Sequence, residues 1–457
     1  MRPVPFVPAA FLTGFLLATP AIARDGDLDA TFGSGGVSVI DFGTTATAFG
    51  LAIGADGRVV LSGTAEGGAT GTDLAVAVLS RDGQPDTSFS FDGMTTVAVG
   101  PGSIPDFHVN AIVQADGRIV SAGGGPDSTV PGDDGDMQVV RLLPDGSLDP
   151  TFNGDGKAYI AFDLGDGNGD RALDLVELPG GKLIVVGTAA VAGQGSDFAV
   201  LKLNADGSRD TTFDGDGRVT FHFDLDPANR EDVAGSVALD GAGNIVVGGI
   251  AESGPNSYDF AIARLTPAGV LDPNFGGDGR VTVAFDLGGN LDDQMLELAV
   301  APDGAIYAGG MIASGDTDFG IVKLQPDGSP DLAWGNAGRA SVAFDLGGPQ
   351  DIAYGLVVQP DGKVVLTGLA QPSASASDIA LARLDAGGML DPTFGFAGKR
   401  TYDLNLAGES FDAAVRARLQ DGHLVIGGVA TTAPGVTSFI AARVVIDTLH
   451  SDGFDGQ

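Results

Sequence analysis

The side chains best suited to chemistry in this chain are carboxylates carried on glycine-rich stretches. Five such stretches recur: DLGDGNGD at 163–170, DLDPANRED at 224–232, DLGGNLDD at 286–293, DLGGPQD at 345–351 and DLNLAGESFD at 403–412. Hard oxygen donors on pliable loops suit Ca²⁺, which takes six to eight oxygens. The candidate metal ligands are therefore Asp166, Asn168 and Asp170 in one loop and Asp286, Asp292 and Asp293 in another. Ordinary turn chemistry and solubility give the plainer account of the same residues. Asp166, Asn168, Asp170, Asp174 and Glu177 also fall at positions 1, 3, 5, 9 and 12 of an EF-hand loop. Arg171 stands where that loop needs glycine, and Arg171–Leu178 reads as a strand, so no EF-hand is expected.

Catalytic patterns are scarce. The four histidines, His108, His222, His423 and His450, share no repeat position and no metal-like spacing. No H-E-x-x-H, G-x-S-x-G or P-loop occurs, and with no cysteine there is no thiol nucleophile, disulfide or Cys-ligated zinc. A second series is more regular. Asp73, Asp136, Asp197, Asp259, Asp318 and Asp378 recur, and five residues on come Arg141, Lys202, Arg264, Lys323 and Arg383, then Arg443, with Val78 in the first copy. The series could be a ring of ligand contacts. Because it tracks every copy, it is expected instead to bind loops and neighbouring units. At odd spacing the acid and the base point to opposite faces of a strand, so they should not pair with each other.

The elements that position these groups follow from an internal repeat. Aromatic anchors at Phe32, Phe89, Phe152, Phe213, Phe275, Trp334, Phe394 and Phe454 close an LD-x-x-F-G-like motif at spacings of 57 to 63 residues. Eight anchors bound seven intervals. Each interval holds four short runs of alternating or apolar character, such as GRVTVAFD, MLELAVAPDG, AIYAGGM and DFGIVKLQPDG in 279–328. Such runs, separated by Asp-Gly turns, read as four β-strands. Seven four-stranded units predict an all-β, seven-bladed propeller. The AYGLVVQ type of run (353–359) is placed innermost and the GRVTVAF type outermost. The chain then starts with an outer strand lacking a blade, Gly35–Phe42, and ends with a blade lacking an outer strand. Pairing of Gly35–Phe42 with Ser438–Ile446 should close the ring.

LDPTFGFAGK (390–399), AYGLVVQPDGKVVLTG (353–368) and SDIALARLDAGG (377–388) together resemble the bacterial delta-60 repeat family. The likeness spans residues 28 to 456. It implies a β-propeller and carries over no catalytic residue.

Composition bounds the partners. The chain has 457 residues, 24 Lys+Arg against 60 Asp+Glu, and a net charge of −36, which disfavours nucleic acid. Residues 1–23 read as a signal peptide: Arg2, an apolar centre at Phe11–Ala18, and Ala21-Ile22-Ala23 as a cleavage pattern. The domain is then 24–448, with a tail at 449–457 that repeats the anchor at Phe454. The expected protein is exported, to the periplasm or outside, monomeric and without a membrane span. The expected function is binding or structural, with an acidic loop face meeting a protein, a carbohydrate or a cation such as calcium. The alternative is a secreted hydrolase or lyase with its site in the central funnel.

Overall fold

The computed structural model describes residues 23–67, 71–99, 107–125, 135–165, 169–193, 195–223, 225, 231–254, 257–285, 287, 292–408 and 411–446. The leader up to Ile22, the tail from 447 with Phe454 and His450, and the loop residues Asp166, Asn168 and Asp286 lie outside them. Among the described residues every regular element is a strand, and the strands form seven four-stranded sheets. In blade six the strands are Asp351–Val358, Val364–Ser373, Ala376–Leu384 and Lys399–Tyr402, paired antiparallel in that order. The short Asp-Gly turns form because glycine accepts a left-handed backbone, as Gly362 does at φ 82°. The outer strand has only four residues in each blade, which limits the unpaired edge offered to other chains.

The expected seven blades, the strand order and the closure all stand. Val37–Ile40 pairs antiparallel with the last strand, Val37 opposite Ala442 and Ile40 opposite Phe439. The first strand of the chain thus completes the seventh blade. A blade buries both faces only against neighbours, so the core is divided among the interfaces. One apolar cluster joins Val139 of blade two to Leu183 of blade three, and another joins Leu51 of blade one to Phe439 of blade seven. Equivalent clusters fill the other five interfaces.

The recurring base is structural, as expected. It does not meet the acid five residues before it; it meets the Asp of the LD-x-x-F motif. Arg141 Nε donates to Asp149 Oδ2 at 2.8 Å, Arg264 Nε to Asp272 at 2.9 Å and Arg383 Nε to Asp391 at 2.9 Å. The guanidinium or ammonium also lies over the anchor ring, as Arg141 lies over Phe152 at 4.7 Å and Lys202 over Phe213 at 5.7 Å. Its far end reaches a turn carbonyl of the next blade: Arg141 donates to Ala205 O and Arg383 to Ile446 O. At the closure the triad is assembled from both chain ends, Arg443 with Asp29 at 2.7 Å over Phe32. Blade one has Val78 in place of the base, and there Arg58 approaches Asp86 at 3.6 Å. A second base, at the start of the outer strand, ties blades two, three, four and six to the blade before. Lys157 Nζ donates to Ala98 O, Arg218 to Ala161 O and Arg280 to His222 O.

Arg383 is fully buried and also binds Asp25 at 2.7 Å, so it holds blade six, the last blade and the N-terminal segment together. Removing it takes a buried guanidinium away from Asp391, Asp25 and the Ile446 carbonyl. Urea unfolding of Arg383→Ala should show a loss of about 3 kcal/mol or more, because a buried pair broken on one side typically costs that much. Lys363→Ala, at a half-buried base near the same Asp391, should cost under about 1 kcal/mol. Equal losses would show that the triad does not hold the closure.

Candidate functional site

Strand direction puts two loop sets on one face, here called upper: those between blades and those between the second and third strands. Parallel bridges join them, Leu164 to Val191 and Thr317 to Gln350. The opposite, lower face carries the Asp-Gly turns and the LD-x-x-F-G turns.

The last Asp of each acidic loop turns inward. Asp170 Oδ2 accepts from Phe162 N at 2.7 Å and its Oδ1 from Ala190 N at 3.1 Å. Asp293 repeats this with Phe285 N at 2.7 Å and Ala313 N at 3.1 Å. Asp232, Asp351 and Asp412 take the amides of Phe223, Phe344 and Leu404. These carboxylates fasten the incoming loop to the blade. Asp292 instead accepts from Gln294 Nε2 at 3.1 Å. Of the EF-hand-like set, Asp174 lies in the central channel and Glu177 accepts from Gln114 Nε2 at 2.9 Å. The structure therefore does not gather Asp170, Asp174 and Glu177 into one site. No group of three potential metal ligands occurs among the described residues.

What the upper face does present is an exposed acid that recurs from blade to blade. Asp163, Asp345 and Asp403 stand exposed at one repeat position, and Asp41 at the equivalent place before blade one. Arg171 is the single described base on these loops, whereas the ion pairs of the described residues lie at the lower turns or in the channel. The charge is thus segregated along the propeller axis.

The channel is where the blades cease to be alike. Every inner strand carries a bulge at one place, and the residue after it is Gly50, Asn110, Asp174, Ser236, Glu297, Gly355 or Arg416 in blade order. A bulge re-aims the residues beside it. Asn110 Nδ2 donates to Asp174 Oδ1, and Asp174 Oδ2 accepts from Val237 N at 2.8 Å. Glu297 reaches past blade six to pair with Arg416, and Arg418 Nη1 donates to its other oxygen at 3.2 Å. This belt floors a cavity of about 440 Å³ with apolar walls that include Ile112, Val300 and Val358. The sequence reading did not single out the belt. The signal exists only as one variable column in the aligned repeats.

His108, the other break in the repeat, is fully buried in blade two. Its Nδ1 lies 3.2 Å from Ser121 Oγ, and burial lowers its pKa to about 4, so the ring is neutral at pH 7. Burial acts oppositely on the loop carboxylates: it raises Asp170, and it pushes Asp232 and Asp351 up to about 6, with Asp197 and Asp318 adding like charge. A raised carboxyl binds its proton more tightly in the folded state, so stability rises as pH falls through 6 towards 3.8. His108 subtracts stability as pH falls from 6.5 to 4, and Asp391, lowered against its burial to about 2 by the Thr393 hydroxyl and amide and then by Arg383 and Lys363, subtracts only below 3.8. The carboxyls and the histidine therefore pull the melting temperature in opposite directions between pH 7.5 and about 5.5. Against the parent protein, Asp232→Asn/Asp351→Asn should make acidification over that window less favourable and His108→Gln should make it more favourable; unchanged slopes would count against the assignment.

Six segments of the chain, 54–89, 114–152, 178–213, 243–275, 301–333 and 359–394, match the family model described as domain of unknown function (DUF5122) beta-propeller. Each runs from the Asp-Gly turn to the anchor motif. No curated protein matches the chain by sequence. Solved structures that resemble it include a protein of unknown function from Dyadobacter fermentans, at 12% identity and TM-score 0.44 over 90% of this chain and 98% of that one. YCF48 from Cyanidioschyzon merolae gives the same identity, score and coverage. A PL25 ulvan lyase bound to -[GlcA(1-4)Rha3S]- is 10% identical at TM-score 0.46, over 93% and 95%. Likeness this distant carries no argument about ligand or activity. Its own sheets make the chain a seven-bladed β-propeller, and the six matched segments support an uncharacterised β-propeller repeat family.

Proposed function

We propose that the protein is an exported binding module that offers its acidic upper face to a cationic partner. The observation that carries this reading is the segregation of charge: exposed Asp163, Asp345 and Asp403 recur on loops where Arg171 is the single described base. A low-dielectric body beneath such a rim strengthens its field and draws cations from solution. Calcium suits the rim because carboxylates and loop carbonyls supply oxygens at several blades. Asp292 belongs to the same face. Asp170 and Asp293 support it from behind by anchoring the loops. A Lys/Arg-rich protein segment would meet the same field, and a carbohydrate would meet the same carboxylates through its hydroxyls. Export is supported by the leader pattern of residues 1–23.

The competing reading is a hydrolase or lyase in the central channel. Its two carboxylates there are already engaged, Asp174 by Asn110 and backbone amides and Glu297 by Arg416 and Arg418. Neither is set up to donate a proton, which an enzyme splitting glycosidic bonds requires.

Calorimetric titration of the mature protein with CaCl₂, beside a Lys-rich peptide at low salt, tests the proposal. Heat and a raised melting temperature at about millimolar Ca²⁺ are expected, in the range of extracellular calcium modules. Asp163→Asn/Asp345→Asn/Asp403→Asn should weaken both ligands by about fivefold while the fold melts as before. Absence of heat and of any melting shift with either ligand would sink the reading.

A further inference from the structure

The inner strand of each blade has no partner on its axial side, so that edge faces the channel. The amide following the bulge residue points into this space, and in blades two to five it is capped. Ala111 N donates to Asn110 Oδ1 at 2.9 Å, Leu175 N to Asp174 Oδ1 at 2.8 Å, Val237 N to Asp174 Oδ2 at 2.8 Å and Leu298 N to Ser236 Oγ at 3.2 Å. The same amides in blades six, seven and one belong to Leu356, Ala417 and Leu51. None of them has a side-chain acceptor among the described residues. The repeat explains why. Glu297, which would cap Leu356, is drawn away to Arg416 and Arg418. Gly355, which would cap Ala417, has no side chain. Arg416, beside Leu51, is itself a donor.

Further donors gather at the same place. Arg416 Nε is buried and has no partner, and so are Thr367 Oγ1 and Ser62 Oγ. The two hydroxyls sit opposite the two belt glycines, Thr367 across from Gly355 and Ser62 across from Gly50. Where the belt residue has a side chain, the residue across from it carries no hydroxyl: Ala122, Val186, Gly248, Gly309 and Gly427. A Cβ placed on Gly355 would stand 2.6 Å from Thr367 Oγ1, 3.3 Å from Ala417 N and 3.3 Å from Arg416 Cα. The Thr367 hydroxyl, the Ala417 amide and the Arg416 stem therefore crowd around the place a side chain at Gly355 would take. Arg418, about one third exposed, stands beside it and uses Nη1 on Glu297 and Ala417 O. Two guanidinium groups against one glutamate leave this side of the belt positive. Buried donors without acceptors are costly, and an oxyanion satisfies several of them at once.

We propose that the blade six–seven side of the channel binds the carboxylate of a small organic acid. Arg418 supplies charge and the Leu356 and Ala417 amides supply hydrogen bonds, all three lining the cavity, while buried Arg416 adds charge from behind. The apolar body lies along the channel wall, where Ile112, Val300 and Val358 leave room within about 440 Å³. The site is reached from the lower face, which carries the bases, so the acidic rim does not bar its ligand. It stands apart from the proposed calcium-binding face, and neither result decides the other.

Calorimetric titration of the purified mature protein with sodium benzoate, benzamide and sodium sulfate tests the assignment. One equivalent of benzoate should bind at least about tenfold more tightly than neutral benzamide or than sulfate, since a fork of Arg donors favours a planar carboxylate. Arg418→Gln should weaken benzoate by about tenfold. Gly355→Ser/Thr367→Gly transplants the Ser236/Gly248 pair of blade four into blade six, caps Ala417 N internally, and should weaken benzoate similarly while the melting curve stays cooperative. Should that double variant fail to fold, Arg418→Gln alone decides. No heat with benzoate up to about 20 mM, where even a weak ionic contact registers, would overturn the proposal. So would benzamide or sulfate binding as well as benzoate, or benzoate binding unchanged in the folded variants.

Discussion

A four-stranded blade of this chain is apolar on both faces and can cover neither by itself. That constraint governs the rest of the structure. Each of the seven interfaces carries its own cluster of residues from two blades, as Val246 of blade four packs with Ile306 of blade five. An open row of blades would leave two such faces in water, at roughly 25 cal/mol per Å² of apolar surface. Closure through Val37–Ile40 removes both, and Arg443 with Asp29 and Phe32 rebuilds across the chain ends the contact that other blades make within themselves.

The same constraint sorts the charges. In blades two, three, four, six and seven a base reaches the LD-x-x-F turn and a carbonyl of the next blade, and those turns all lie on the lower face. Positive charge is thereby committed to one end of the molecule. On the other end the acids divide into two kinds. Asp170, Asp232, Asp293, Asp351 and Asp412 are buried and accept backbone amides. Asp163, Asp345 and Asp403 stay in water. The acidic face is thus a by-product of how the blades are tied together below, and any cation that uses it meets the outer acids and not the buried ones.

Closure also creates the channel, since seven unpaired inner edges must converge somewhere. Their bulged positions differ in each blade, so the belt has a capped side at blades two to five and a donor-rich side at blades six, seven and one. The Gly-with-hydroxyl and side-chain-without-hydroxyl alternation between Gly355/Thr367 and Ser236/Gly248 is steric: a Cβ at Gly355 and the Thr367 hydroxyl cannot share one space.

The sequence alone determined whatever the repeat carries. The blade count, the four strands, the inner and outer order and the joining of the ends all follow from a pattern printed seven times, because binary patterning and turn chemistry act locally. The structural role of the base at Arg141, Lys202 and Arg264 was legible for the same reason, although its true partner, the motif Asp, was not. Tertiary structure alone decided which acids are buried and which side chains share the channel. Glu297 and Arg416 lie 119 residues apart and meet only across the channel. No local rule encodes that pairing; it depends on three blades being held edge to edge around a common axis.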